Sequence, residues 1–357
     1  MNKARDMSDL NNLIGQLFMA GMPGTGLDEN TESLIRDYNI GGIILFSRNI
    51  NDPIQLSRLC TEIKDAAGKY HGNRIFIAVD QEGGRVARLK APFSVFPGNE
   101  AIGMDEEPEE RAREFAEITA KEMKMAGLNM DLAPVMDVRE GIPDRHLEGR
   151  IFSDRPETVS RLGGIVIKTL QQNGIMAVAK HFPGLGLADF DPHKDSLTIP
   201  FDNSDVEERQ LAPFIASIRE GVSGIMTSHA LYPSIDPAAP GTLSAKILTG
   251  LLRNKLGYNG LVLTDDLEMG AISKNAGVPE GAAASFKAGA DVLLICENQQ
   301  IVKESIKLMR EKVLSNEITM DRIYESCGRI RSAKLKYLAP EHRVGLNDVK
   351  DYFRLKT

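Results

Sequence analysis

The segment AKHFPGLGLADFDPHKDSL, residues 179–197, holds side chains suited to proton transfer. Asp191 and His193 lie two residues apart in it, and the whole chain has only six histidines. In an Asp-x-His arrangement the carboxylate can accept from one ring nitrogen, which fixes the tautomer and makes the other nitrogen more basic. Such a pair can act as general acid and then as general base, although a solvated loop with a turn at Asp191 would have the same spacing. Gly184 and Gly186 would let this loop close over a substrate.

A proton-transfer pair needs a group that attacks the substrate, and Asp265 is the candidate nucleophile. It ends the apolar run GLVLTDD, residues 260–266. Because Asp266 is its neighbour, one of the two is expected to be neutral or turned away, since adjacent like charges disfavour joint ionisation. A carboxylate nucleophile with a separate acid/base group is typical of a retaining glycosidase.

Other ionisable side chains follow further apolar runs. His229 follows one of them. Five other ionisable residues are candidates for binding the hydroxyl and amide groups of a sugar, since charged partners make strong hydrogen bonds. These candidate binding residues are Asp80, Arg88, Arg150, Lys180 and His181.

A metal site is the alternative use of the same side chains. His181, His193, His229 and Asp265 include the ligand types that divalent ions take. Metal-dependent barrel hydrolases usually place an H-x-H pair on the first strand, whereas the first run here, LIGQLFMAGMPG, has no ionisable group. Lys180 would also repel a cation. We therefore expect no metal and no other cofactor.

The elements that must position these residues are eight short apolar runs with amphipathic segments between them. Continuous apolar runs are typical of strands buried on both faces. The connecting segments carry helix signals: Asp52 and Pro53 predict a helix start, and Gly127 and Gly174 predict helix ends. The runs are 13–21, 41–47, 74–80, 128–135, 175–181, 223–229, 260–266 and 291–296.

Alternating strands and helices predict a parallel sheet, and eight such units predict a single (β/α)8 TIM-type barrel of the α/β class. A doubly wound open sheet is the second possibility. We expect the barrel over residues 1–338, closed by C-terminal helices, and a tail over 339–357. In a barrel the active site lies at the carboxyl ends of the strands, where the ionisable residues fall.

Composition limits the partners. The formal net charge is −7 and the Lys and Arg residues are spread along the chain, which argues against nucleic acid and against a membrane surface. The three cysteines have no C-x-x-C spacing, so we expect free thiols. The apolar stretch LIGQLFMAGM is too short and too interrupted for a signal peptide or a membrane span, which predicts a cytoplasmic protein. We expect a monomer.

Seven motifs together resemble those of the bacterial β-N-acetylhexosaminidases (β-N-acetylglucosaminidases) of glycoside hydrolase family 3. They are DQEGGRVARL (80–89), LAPVMDV (132–138), GRIFSD (149–154), KHFPGLG (180–186), DPH (191–193), MTSHALYPSID (226–236) and LTDDLEM (263–269). The resemblance implies a single barrel, Asp265 as the nucleophile of a covalent intermediate, His193 as the acid/base and Asp191 as its partner. It also implies sugar binding at the five positions named above and no cofactor.

The resemblance further implies removal of a terminal β-linked N-acetylglucosamine, and in cytoplasmic members action on muropeptides during peptidoglycan recycling. Two positions depart from the family pattern: Leu185 replaces the second histidine of K-H-F-P-G-H-G, and Pro192 replaces the serine of D-S-H. Proline removes a backbone donor and stiffens the loop. Both changes could alter loop closure or the preferred aglycone.

Two other functions remain as alternatives. A β-glucosidase or xylosidase of the same family usually takes its acid/base from a second domain, for which this chain lacks the length. A non-catalytic sugar-binding barrel should have lost the nucleophile or the dyad, whereas Asp191, His193 and Asp265 are all present.

Overall fold

The computed structural model describes residues 10–141, 146–186, 197–199, 204–338 and 344–355. Eight parallel strands form its centre, as predicted. Each strand pairs with its neighbours in chain order, the last pairs with the first, and a bridge between Leu263 and Val292 brings the ring close to closure. The strands are Phe18–Gly21 (β1), Gly42–Ile44 (β2), Phe76–Val79 (β3), Met130–Asp131 (β4), Met176–Phe182 (β5), Gly224–Thr227 (β6), Leu261–Leu263 (β7) and Leu293–Ile295 (β8).

Helices surround the strands and connect them. They are Glu29–Tyr38 (α1), Pro53–His71 (α2), Asn99–Gly103 (α3), Pro108–Met125 (α4), Pro156–Gln172 (α5), Ser204–Arg219 (α6), Gly270–Ser273 (α7), Val278–Ala288 (α8), Gln299–Leu314 (α9), Met320–Tyr337 (α10) and Leu346–Tyr352 (α11). A π-helix spans Lys246–Lys255, and short 3-10 helices span Ser47–Asn49 and Gly241–Leu243. This arrangement confirms the (β/α)8 barrel and excludes the doubly wound sheet.

The start of α2 shows how local sequence sets a helix. The Asp52 side chain accepts from the backbone nitrogens of Ile54 (2.8 Å) and Gln55 (2.9 Å), and Pro53 occupies the first turn. Both signals were predicted. Gly127 and Gly174, which follow α4 and α5, have φ values of 86° and 82°, where glycine is favoured.

Two elements differ from the prediction. The run 13–21 was expected to be one strand, but 10–15 is helical and only Phe18–Gly21 is strand. Leu10, Ile14 and Leu17 are buried at helical spacing, which explains the helical turn. The helix α1 was not predicted, because its sequence ENTESLIRDY is mostly polar.

Two hairpins stand on the carboxyl-terminal side of the strands. Gln81–Gly83 pairs with Val86–Ala87 after β3, and Leu231–Tyr232 pairs with Asp236–Pro240 after β6. At the C-terminus α11 packs against α2 with Val349 fully buried, and the Phe353 ring contacts the Phe93 ring at 4.8 Å. None of the helices that the structure describes is long and apolar enough to cross a membrane. The three cysteines are free thiols, as predicted.

Candidate active site

The described candidate residues lie at the carboxyl ends of the barrel strands. Asp80 directly follows β3, Lys180 and His181 belong to the end of β5, and Asp265 follows β7 by two residues. Cys296 follows the end of β8, and its backbone nitrogen donates to Asp266 Oδ1 at 3.3 Å. Burial raises the pKa of its thiol well above the usual value, and Asp266, Asp265 and Asp80 raise it further. The parallel strands therefore bring these carboxylates to one rim.

Asp80 accepts hydrogen bonds from two cations. Lys180 Nζ lies 2.8 Å from Asp80 Oδ1, and Arg88 Nη2 lies 2.9 Å from Oδ2. Burial alone would raise the pKa of Asp80, but Lys180 and Arg88 lower it to about 2. Asp80 is therefore a charged anchor for the two cations at neutral pH.

Glu82 contacts the same group of charged side chains as Asp80. It was not predicted from the sequence. Its carboxylate accepts from Arg150 Nε and Nη2, both at 2.7 Å, and from Lys180 Nζ at 2.7 Å. Burial would raise the pKa of Glu82, but Lys180 and Arg150 lower it overall. The sequence offered one signal for Glu82. It lies two residues after Asp80, and in an extended chain alternate residues share a face.

Lys180 is shared between Asp80 and Glu82 and is almost fully buried. Burial would lower the pKa of its amine, but the two carboxylates raise it overall. With Arg88 and Arg150 the cluster has three cations and two carboxylates, so one positive charge is in excess. We name this cluster of Asp80, Glu82, Arg88, Arg150 and Lys180 the rim cluster. Its surplus charge suits electron-rich oxygens of a ligand.

Asp131 lies beneath the rim cluster on β4 and was also not predicted. Its Oδ1 accepts from the backbone nitrogen of Gln81 at 3.0 Å, which anchors the chain between Asp80 and Glu82. Burial raises the pKa of Asp131 well above the usual value.

His181 is held by Asp137, another residue that was not predicted. His181 Nδ1 lies 2.8 Å from Asp137 Oδ2, and Asp137 Oδ1 accepts from the backbone nitrogens of His181 (3.2 Å) and Leu185 (2.8 Å). Since a carboxylate only accepts, Nδ1 carries the proton of this hydrogen bond. Asp137 thus orients His181 and fixes the start of the loop that follows it. The motif LAPVMDV contained Asp137, but no role could be assigned to it.

Asp265 and Asp266 have different environments. Asp265 Oδ1 accepts from the Asp266 backbone nitrogen at 2.8 Å, and no hydrogen bond to Oδ2 is found within the described ranges. Asp266 Oδ1 accepts from the backbone nitrogens of Glu268 (3.1 Å) and Cys296 (3.3 Å). Burial, with smaller contributions from Glu268 and Asp265, raises the pKa of Asp266 to about 6. Burial rather than repulsion from Asp265 is therefore the main cause of this shift in the pKa of Asp266.

Asp191 and His193 lie outside the described residues, within 187–196. Both flanks of that segment are placed at the rim, since Leu185 is bound to Asp137 and the Ile199 backbone nitrogen donates to Leu231 O at 2.8 Å. A Cβ at Gly186 would collide with the Val138 carbonyl oxygen, so close packing requires this glycine.

Leu185, which replaces the histidine of the family pattern, has a structural explanation in the described part of the chain. Its side chain packs against a small apolar cluster of Val135, Leu147 and Ile151. Leucine therefore covers this cluster beside the loop. Pro192 lies outside the described residues.

The alternative of a divalent metal site would require the side chains of four residues as ligands: His181, His193, His229 and Asp265. His229 uses both ring nitrogens in hydrogen bonds, to Thr242 Oγ1 (2.7 Å) and to the Asp266 carbonyl oxygen (2.8 Å). Within the described ranges no group of three His, Cys, Asp or Glu side chains is arranged to hold a metal ion.

A cavity of about 1020 Å3 lies at the opposite end of the barrel, around Arg74, Gly127 and Asn129. It contains none of the predicted site residues, so cavity size does not identify this site. The barrel and its charged rim define an enzyme of the TIM-barrel type, with the active site at the carboxyl ends of the strands.

Comparison with known proteins identifies the family. The model of the glycosyl hydrolase family 3 N terminal domain matches residues 9–333. A beta-hexosaminidase of Nitrosomonas eutropha is 35% identical over 294 residues, which are 80% of this chain and 82% of the relative. The chain belongs to glycosyl hydrolase family 3 and is a glycoside hydrolase.

Two solved structures are similar over almost the whole chain. A family 3 beta-N-acetylglucosaminidase from Paenibacillus sp. has a TM-score of 0.88 and 35% identity, covering 96% of this chain and 68% of that one. NagZ from Neisseria gonorrhoeae, solved in complex with N-trifluoroacetyl-D-glucosamine, has a TM-score of 0.77 and 30% identity, covering 95% of this chain and 93% of that one.

Proposed function

We propose that this glycoside hydrolase is a retaining exo-β-N-acetylglucosaminidase that works by double displacement. The observation that carries the proposal is the state of Asp265 at the rim. One carboxylate oxygen is held by the Asp266 backbone nitrogen, and the other has no hydrogen bond from the described residues. The preference for N-acetylglucosamine is supported by the similar Paenibacillus and Neisseria proteins.

In the first step Asp265 Oδ2 attacks the anomeric carbon while His193 gives a proton to the leaving oxygen. In the second step the neutral His193 takes a proton from water, and that water attacks the same carbon and releases Asp265. Asp191 accepts from the other ring nitrogen of His193 and holds its tautomer. The spacing and the family resemblance support these two roles, and so does the position of the loop's flanking residues.

The sugar is bound by Asp80, Arg88, Arg150, Lys180 and His181. The rim cluster supports this role because its side chains are buried or partly buried and are held in position by ion pairs with one another. Hydrogen bonds from preorganised charged groups lose little entropy when a hydroxyl replaces water. Glu82 and Asp137 act indirectly. They hold Arg150, Lys180 and His181 in place.

We further propose that the natural substrate is a muropeptide or a related glycoside with terminal β-linked N-acetylglucosamine. The protein would then act in the cytoplasm, in peptidoglycan recycling, as a monomer and without a cofactor. Fractionation of cells and incubation with purified muropeptides test the location and the substrate.

The experiment that tests the proposed function compares two substrates. Purified protein is assayed with p-nitrophenyl β-N-acetylglucosaminide and with the matching β-glucoside, alongside Asp265→Ala and the surface control Asp37→Ala. We expect turnover of the first substrate, little of the second, none with Asp265→Ala, and wild-type turnover with Asp37→Ala. Preference for the glucoside would favour the β-glucosidase alternative, and no turnover of either would favour a sugar-binding barrel.

A further inference from the structure

His229 lies two residues beyond β6 and is almost fully buried. Its Nε2 is 2.8 Å from the carbonyl oxygen of Asp266, and its Nδ1 is 2.7 Å from Thr242 Oγ1. Thr242 Oγ1 in turn lies 2.6 Å from Thr227 Oγ1 at the end of β6. A chain of hydrogen bonds therefore runs from β6 to the segment that follows β7.

The direction of each hydrogen bond can be assigned. A carbonyl oxygen only accepts, so Nε2 carries the proton. Burial lowers the pKa of His229, which favours the neutral ring, and Nδ1 then accepts from the Thr242 hydroxyl. Thr227 gives its proton to Thr242 Oγ1. Thr242 Oγ1 also lies 3.0 Å from the Ser228 carbonyl oxygen, so its hydroxyl proton is shared between that oxygen and His229 Nδ1. Together these contacts hold the ring in place.

The chain ends on the residue that holds the candidate nucleophile. The Asp266 carbonyl oxygen is fixed by His229, and the next backbone nitrogen, of Leu267, donates to Leu294 O at 3.0 Å. The Asp266 backbone nitrogen donates to Asp265 Oδ1 at 2.8 Å. A shift of Asp266 would therefore shift the donor that orients the Asp265 carboxylate.

We propose that His229 is a positioning residue that aligns the Asp265 nucleophile by clamping the Asp266 carbonyl oxygen. The inference rests on the proposed function, because it takes Asp265 as the attacking group. His229 does not contact the rim cluster through any hydrogen bond within the described ranges, so its loss should affect attack rather than sugar binding. Misplacement of a reacting group by about 1 Å can cost about 100-fold in rate.

The test compares His229→Asn with His229→Gln. Glutamine can place its amide nitrogen where Nε2 lies, whereas asparagine reaches only the position of Nδ1. We expect His229→Asn to lower kcat for an aryl N-acetylglucosaminide about 10- to 100-fold, with KM changed by less than about twofold. His229→Gln should recover most of kcat. His71→Asn is the matched control. His71 is the last residue of α2, and its Nε2 also contacts a backbone carbonyl oxygen, that of Arg36, at 2.9 Å.

Thermal unfolding confirms that each variant is folded. If His229→Asn does not fold, Thr242→Val and Thr242→Ser replace it: loss of kcat at unchanged KM in the valine variant, with recovery in serine, supports the inference. Wild-type kcat in His229→Asn or Thr242→Val, or equal losses in the asparagine and glutamine variants, overturns it. Activity that survives Asp265→Ala overturns the proposed function as well, whereas an inactive Asp265→Ala beside a fully active His229→Asn overturns only the positioning role.

Discussion

At the scale of residues, the charged side chains of this site form ion pairs with one another. The sequence indicated Asp80, Arg88, Arg150, Lys180 and His181 as separate sugar-binding groups, and the structure places them at one rim. Their partners Glu82 and Asp137 were not predicted, because both contacts are distant in sequence. The ion pair of Glu82 with Arg150 joins residues 68 apart, and the hydrogen bond of Asp137 with His181 joins residues 44 apart. Spacing along a chain does not reveal such pairs.

Replacement of Glu82 by Gln tests the role of the rim cluster. Arg150 and Lys180 would lose one carboxylate, and breaking a buried ion pair leaves a costly uncompensated charge. We expect kcat/KM for the aryl N-acetylglucosaminide to fall at least about tenfold, or about 1.4 kcal/mol, mostly through KM.

The matched control is Glu29→Gln, which changes an exposed ion pair with Arg36 on α1. Exposed ion pairs contribute little, so activity and unfolding temperature should stay at wild-type values. A Glu82→Gln enzyme with unchanged kcat/KM would show that the rim cluster does not position sugar-binding groups.

At the scale of elements, the sequence predicted which segments form the barrel better than where each begins and ends. The runs 74–80 and 260–266 contain β3 and β7, but the strands themselves are shorter, because only part of each run pairs with its neighbours. The segment 13–21 combined a helical turn and a strand, which share an apolar composition. Helix α1 escaped prediction because its buried face includes Thr31 and Ser33.

Lys334 on α10 is a buried lysine between elements. Its Nζ donates to Gln16 Oε1 at 2.8 Å and lies 4.9 Å from the centre of the Phe76 ring on β3. Within the described ranges no carboxylate is paired with it. Burial lowers the pKa of Lys334 from 10.5 to about 7.

This lowered pKa predicts a pH-dependent stability. Between about pH 7 and pH 10.5 the unfolded chain binds a proton at Lys334 that the folded chain lacks, so this group makes stability rise with pH. Lys334→Met removes the cost of burying the charge. We expect the free energy of unfolding to increase by about 1–3 kcal/mol at pH 7 and by less at pH 9.5, as measured by denaturant titration.

Lys336→Met is the control, because Lys336 is an exposed lysine on the same helix. It should change stability little and equally at the two pH values. A gain from Lys334→Met that is the same at pH 7 and pH 9.5 would contradict the lowered pKa.

At the scale of the whole molecule, the count of strand–helix units predicted the barrel, and the barrel then predicted which ends of the strands hold the site. Both followed from residue types alone, because buried parallel strands are continuously apolar and their carboxyl ends carry the ionisable groups. The tail was a weaker prediction. Residues 339–357 were predicted to be a tail too short for a domain, with no prediction of whether it docks on the barrel, and α11 within it packs against α2. Docking of a short amphipathic helix depends on a surface that no local pattern specifies.

A covalent glycosyl-enzyme on Asp265 is the direct test of a retaining mechanism with this nucleophile. The protein is incubated with an activated fluorinated N-acetylglucosaminyl substrate whose deglycosylation is slow, and its peptides are analysed by mass spectrometry. We expect one sugar adduct, on the peptide that contains Asp265, and no adduct with Asp265→Ala. A sugar on another carboxylate, or turnover of this substrate without any adduct, would contradict Asp265 as the nucleophile and the retaining mechanism with it.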